Sequence, residues 1–462
     1  MPWLEHTPGV FQREIGENEK FIKTIGDRGH AAGREHWSIT SKAKLKLPKD
    51  LKIEDLIQSL RSAWQALRFQ HPSIASTATS ETLQYTVPDE SALKFWTKET
   101  LWIHHEQVSA DELVATLQPS RYVCAHYLVN SQEILLHFAH WRTDGYGALQ
   151  LINALAEQLS YALDGGLGNM TWGDEARRLA PNIEEVLNIP VEPTPEIQEA
   201  TDRCLATLVH LHGAVGVALQ TAVTAPPGGT RSSGLRFTEA TTAAIEKACA
   251  AHGISVLAAV HASCAAVTWA NAARYSKNKH YTSTMRFSLR PHLPNPYNTD
   301  SFAAALYTGG YMAKVPASQS WIENAKGYFN EYQHGITPGF LQARRQYAIE
   351  VQKRLTAGAP PPSPPPSEID ISGADEVESM VKAVRPLRDG QALEVVDVGV
   401  GVETLTRQMY CFVWTFRKRL ELSLVYNEAY YSAGYADGIV RALQEVLLHR
   451  LGLGEELVGN GN

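Results

Sequence analysis

Between Ile53 and Arg68, apolar residues recur at helical spacing, with Leu56, Leu60, Ala63, Trp64 and Leu67 on one stripe. That spacing predicts an amphipathic helix. Just before it, Lys42-Ala-Lys-Leu-Lys-Leu47 alternates charged and apolar positions, the period of a half-exposed strand. Ile134 to Phe138 is a mostly apolar run and reads as a short buried strand. Gly145 and Gly147 then mark a turn, and Ala148 to Leu155 reads as helix. Residues 1–40 are polar and irregular, with Trp3, Phe11 and Trp37 as candidate anchors.

Periodicity weakens between about Asp174 and Ser233. Pro181, Pro190, Pro193 and Pro195 interrupt it, and Ala225-Pro-Pro-Gly-Gly-Thr-Arg-Ser-Ser-Gly234 has linker composition. A second set of patterns begins at Thr238: helices over 242–252 and 256–273 broken at Gly253, paired strands over 409–414 and 420–426, and a closing helix over 436–451. The run Ala359-Pro-Pro-Pro-Ser-Pro-Pro-Pro-Ser367 excludes helix and central strand and reads as a surface loop with polyproline character. The C-terminal Gly-Asn-Gly-Asn reads as a frayed tail. The expected organisation is an N-terminal domain over 1–180, a crossover segment over 181–235 and a C-terminal domain over 236–462.

A chain of 462 residues exceeds one ordinary core, which agrees with two domains. A formal net charge of −7 gives no electrostatic case for nucleic acid or an anionic membrane. The five cysteines, Cys124, Cys204, Cys249, Cys264 and Cys411, are widely spaced in mostly apolar context and read as buried thiols of a reducing compartment. No Cys-x-x-Cys or His-x-x-x-His spacing implies a metal site. The N-terminus lacks a basic segment followed by an apolar one, so no signal peptide is expected. The longest apolar stretch, Ile254 to Ala270, is interrupted by His261 and reads as a buried helix rather than a membrane span. A cytoplasmic monomer is the resulting expectation.

His140 stands where the 134–138 strand ends and the chain turns, a place where a side chain faces a cleft while its backbone stays fixed. An imidazole there is suited to removing a proton from a hydroxyl and returning it to a leaving group. Asp144, four residues on, is better placed to hold the turn than to touch substrate. His137 falls on the opposite face of the strand and reads as core. His104-His105-Glu106 reads as a solvated segment, because neighbouring strand residues diverge. No Gly-x-Ser-x-Gly elbow offers a serine nucleophile.

His140-Trp-Arg-Thr-Asp-Gly145 resembles the His-x-x-x-Asp-Gly motif of the CoA-dependent acyltransferase superfamily, which includes chloramphenicol acetyltransferase, BAHD acyltransferases and condensation domains of peptide synthetases. Thr284-Met-Arg-Phe-Ser-Leu-Arg-Pro-His-Leu-Pro-Asn-Pro-Tyr297 resembles the family's Arg-bearing strand. Asp397-Val-Gly-Val-Gly401 resembles the BAHD motif DFGWG with Val at both aromatic positions, and Ala63 to Pro72 resembles a first-domain helix ending in His-Pro. The four segments keep the family's order. The narrower resemblance is to fungal trichothecene 15-O-acetyltransferase-like enzymes, and Ala139 departs from condensation domains and chloramphenicol acetyltransferase, which carry a second His there.

The resemblance implies an α/β fold of two chloramphenicol-acetyltransferase-like domains, mixed sheets flanked by helices, with a central interdomain tunnel. It implies an O-acyltransferase that moves an acyl group, expected to be acetyl, from acyl-CoA to a hydroxyl of a small fungal secondary metabolite. His140 is then the general base, attack is direct, and no covalent intermediate or permanently bound cofactor is needed. Arg290 is implied to pair with Asp144; Gly145, Asp397, Gly399 and Gly401 are implied supports, the last three in a loop away from the chemistry. Thr284, Ser288 and Thr308 are candidates for the oxyanion donor or the pocket wall. The alternatives are a condensation-type enzyme using a carrier-protein thioester, or the same fold turned to a non-acyl reaction such as cyclisation.

Overall fold

The computed structural model describes residues 2–273, 280–357, 363–374 and 377–454. They pack as two α/β units. The first is built from Met1–Val191, Ser288–Thr308 and Glu378–Glu403, the second from Glu192–Phe287, Gly309–Val377 and Thr404–Asn462. This departs from a division into continuous halves: two segments beyond residue 236 belong to the first unit. The reason lies in strand pairing.

The strand Ile39–Lys46 alternates buried and outward positions. It hydrogen-bonds on one side to Glu133–Phe138, with Ile39 opposite Phe138, and on the other to Ala392–Val402, with Val402 opposite Ile39. The late segment therefore covers an edge that Ile39–Lys46 would otherwise leave open. The six-stranded sheet runs Val384–Pro386, Ala392–Val402, Ile39–Lys46, Glu133–Phe138, Cys124–Leu128, Leu101–His104. Only the last pair is parallel. Helices Ile53–Gln70 and Gly145–Leu163 pack on each other, and the second lies against Ile39–Lys46 and Ala392–Val402. The predicted stripe of Leu56, Leu60, Ala63, Trp64 and Leu67 is buried.

Residues 1–40 are not irregular. They contain strands Leu4–Thr7 and Val10–Glu14, paired in a small sheet with Thr82–Thr86 and Thr77–Ala78, and helix Glu17–Asp27. The short strands expose much of their surface, so little apolar alternation marks them in sequence.

The second unit holds a four-stranded sheet in the order Ile369–Ala374, Met409–Phe416, Arg419–Asn427, Thr230–Arg236. Its expected hairpin pairs Tyr410 with Val425. Helices Glu239–His252 and Val256–Ala270 meet at Gly253, whose φ of +67° is the left-handed conformation glycine adopts freely. Among the described residues no single helix is long and apolar enough to cross a membrane; these two pass such a test only as a pair bent by 90°. Val256–Ala270 is buried along most of its length. The Pro-rich run falls partly outside the described residues; Ser363 and Pro364 are exposed, and Ser367 is buried with its hydroxyl donating to Val217 O at 2.9 Å. The terminal Gly-Asn-Gly-Asn also lies outside them.

Candidate active site

His140 opens a single 3-10 turn, His140–Arg142, directly after the strand Glu133–Phe138. The turn is pinned from its C-terminal side. Arg142 is buried and donates from Nη1 to Ser76 O at 2.9 Å and from Nη2 to Arg121 O at 2.6 Å. Its burial lowers the guanidinium pKa to about 10. Thr143 Oγ1 donates to Ala303 O at 2.7 Å. Asp144 then caps the helix Gly145–Leu163, its Oδ1 accepting from Gly147 N at 2.8 Å. The helix thus begins at Gly145, three residues before the expected start, because an N-cap allows glycines in the first turn.

Arg290 grips the same carboxylate as a fork. Nη2 lies 3.2 Å from Asp144 Oδ2 and Nε 3.4 Å from Oδ1. Tyr307 N donates to Oδ2 at 2.8 Å. Both groups are enclosed, Asp144 at 3% and Arg290 at 4% exposure, so the pair works in a medium with little screening. Nη1 also donates to Phe302 O at 3.0 Å, and Nη2 is shared with Ala303 O and Ala305 O at 3.3 and 2.9 Å. The guanidinium stands 5.1 Å from the Tyr307 ring centre, and Tyr307 Oη is fixed on Pro181 O at 3.0 Å. Gly147 completes the fit: a Cβ there would lie 2.2 Å from Ala303 O and 2.7 Å from Arg290 Nη2.

Asp397, Gly399 and Gly401 lie in the strand Ala392–Val402, not in a loop; Asp397 sits opposite Lys44, towards the end of the sheet far from His140, and the Val400–Val402 end approaches the His140 turn. Val400 Cγ2 comes within 4.0 Å of where a Cβ on Gly145 would be. Gly399 faces Lys42 across the strand pair, and its missing Cβ leaves room for the lysine stem. Of the three candidate hydroxyls, Thr284 belongs to the second unit and directs its Oγ1 to Met312 S at 3.6 Å. Ser288 belongs to the first, and its Oγ is enclosed without a hydrogen-bond partner among the described residues. Thr308 also belongs to the first, with its carbonyl accepting from Asn18 Nδ2 at 3.4 Å.

His137 is buried, and burial lowers its pKa to about 4. His104 is more ordered than a solvated segment: Nδ1 meets Glu106 at 2.8 Å and Nε2 meets His126 Nδ1 at 3.1 Å. The five cysteines are free and buried. Asp27, His30 and Glu35 bring potential ligand atoms within 4.8 Å of one another, but Lys23 is already ion-paired with Asp27.

No family model matches the chain. Among curated proteins, Acetyltransferase pigO of Monascus ruber is 50% identical over 457 residues, covering 99% of each chain. The chain belongs to this acetyltransferase family. O-acetyltransferase pigM of Monascus ruber is 27% identical to this acetyltransferase over 97% of its length and 87% of pigM's. Trichothecene 15-O-acetyltransferase from Fusarium sporotrichioides superposes with a TM-score of 0.82 at 16% identity, over 96% of this chain and 97% of that one. The acetyltransferase therefore has the two-domain fold of the CoA-dependent acyltransferases.

Three partners near the His140 turn were missed in the sequence. Tyr307 acts on Asp144 through its backbone N–H, which every residue except proline carries. The Trp37 ring, from a segment read only as an anchor, lies edge-on with its centre 6.5 Å from that of His140. Glu403, two residues beyond Gly401, accepts from Glu35 N at 3.2 Å and pairs with Arg34. A carboxylate directly following the Asp-x-Gly-x-Gly strand was the available signal for Glu403.

Proposed function

We propose that this acetyltransferase moves an acyl group, acetyl first among the candidates, from acyl-CoA to a hydroxyl of a small secondary metabolite. His140 is the general base. Its imidazole takes the hydroxyl proton as the oxygen bonds to the thioester carbonyl; the C–S bond then breaks, and the departing thiolate receives that proton. A base of this kind contributes roughly 10²–10⁴ in rate. The observation that carries the reading is the buried Arg290–Asp144–Tyr307 lock, which fixes the turn presenting His140 while using Asp144 away from substrate. Ser288 is the oxyanion donor we favour among the three hydroxyls, because its Oγ is the enclosed one with no hydrogen-bond partner among the described residues.

The relatives' names supply the metabolic setting. One further relative, 29% identical over 65% of this chain, is named Azaphilone biosynthesis cluster protein M. The test is acetyl-CoA with a panel of polyketide-type and terpenoid alcohols, scored by free thiol and by mass spectrometry of the ester. Stoichiometric thiol and ester support the reading. Turnover only of thioesters tethered to a carrier protein, with acetyl-CoA inert, would contradict it.

A further inference from the structure

The backbone at Trp37 has φ of +66°, a conformation that bulky L-residues avoid. Such an outlier persists where its surroundings over-determine it. Here Trp37 N donates to Glu403 O at 2.8 Å, and Glu403 N donates to Ser38 O at 2.8 Å. The Glu403 carboxylate pairs with Arg34 and accepts from Glu35 N at 3.2 Å and Ser38 Oγ at 3.4 Å. Glu35, Ser38 and Glu403 are all buried. The short segment is therefore clamped on both sides of the strained residue. What the clamp presents is the indole. Its ring centre lies 6.5 Å from that of His140 in an edge arrangement at 61°, and 5.0 Å from that of His36, stacked at 27°.

Asp144 does not supply this orientation, because its two oxygens serve Gly147, Arg290 and Tyr307. They fix the turn and not the direction of the imidazole. We propose that Trp37 is a positioning residue for the reaction, whose ring, held by the Glu403 clamp, sets the direction of the His140 imidazole. This rests on His140 being the base.

The variants are W37F, W37L and H140A, and the probe is the hydrolysis of acetyl-CoA, in which water takes the place of the alcohol. Water needs the same proton removal but no acceptor wall, so an effect on hydrolysis reports the base and not acceptor binding. W37L should lower kcat about tenfold to a hundredfold, the scale of a misplaced catalytic group. KM for acetyl-CoA should stay within about twofold, and W37F should recover most of the rate. In protein labelled at histidine Cε1, the His140 resonance, assigned by its absence from H140A, should broaden or split in W37L and stay sharp in W37F. Should water prove too poor an acceptor, that resonance alone decides. W37L with wild-type kcat and an unchanged resonance overturns the proposal. So does an equal loss in W37L and W37F that tracks a fall in Tm. If H140A is inactive while W37L is normal, only the role of Trp37 falls; if H140A hydrolyses acetyl-CoA at the wild-type rate, the base itself is wrong.

Discussion

At the scale of single residues, Asp144 has the most to lose. Its carboxylate caps a helix, receives the Arg290 fork and takes the Tyr307 N–H, all with 3% of its surface exposed. Breaking one side of a buried ion pair costs about 3–5 kcal/mol. Asp144→Ala should show a loss of that size in chemical denaturation together with a loss of turnover; a change below about 1 kcal/mol, the ceiling for exposed pairs, would contradict the pairing. The partnership was legible before the structure, since Arg290 and Asp144 sit in two recognisable motifs. The third partner was not, because a backbone donor 163 residues away leaves no trace in residue type. Glu35 gives a pH test. Burial raises its pKa from 4.5 to about 7, so the folded chain keeps a proton that the unfolded chain has released. That contribution to stability is fully present below the unfolded value and is lost as pH rises through about 7. Glu35→Gln removes the titration. Its Tm should fall less than that of the parent between acidic and mildly alkaline buffer. Parallel Tm–pH curves would show that the carboxyl does not titrate this way.

Among the elements, glycine decides two outcomes that the sequence left open. Gly147 sits in the first turn of Gly145–Leu163, where a Cβ would press on Ala303 O, a backbone atom with nowhere to go. Gly399 sits in a strand, where a Cβ would come within 2.8 Å of Lys42 Cε, part of a flexible side chain. Gly147→Ala should therefore cost about 1–3 kcal/mol and disturb the Asp144 lock, as overpacking does. Gly399→Ala should cost clearly less than Gly147→Ala, because the Lys42 stem it meets can swing aside where the Ala303 carbonyl cannot. Equal effects in denaturation would refute the contrast. The same glycines explain why this region was misread. Asp397-Val-Gly-Val-Gly401 looked like a loop because glycine is poor in strands, yet its hydrogen bonds to Ile39–Lys46 are supplied by chain more than 350 residues away, which no local pattern reports. The helix Ile53–Gln70 and the hairpin Met409–Phe416/Arg419–Asn427 were readable because their apolar spacing is local and regular.

At the scale of the molecule, the first unit is closed by chain from three separate stretches, including Arg290 and the strand Ala392–Val402. A fragment of residues 1–191 lacks both. It should show neither cooperative unfolding nor dispersed amide resonances, because one edge of Ile39–Lys46 would be left without its partner; a folded fragment would contradict this dependence. The central claim is that this acetyltransferase uses His140 to activate an alcohol toward acyl-CoA. The most direct measurement pairs ester formation with calorimetric binding of acetyl-CoA, in the parent protein and in His140→Ala. Loss of a general base should reduce ester formation by about a hundredfold or more while the Kd for acetyl-CoA changes little. Near-normal ester formation by His140→Ala would mean that the chemistry belongs to another group.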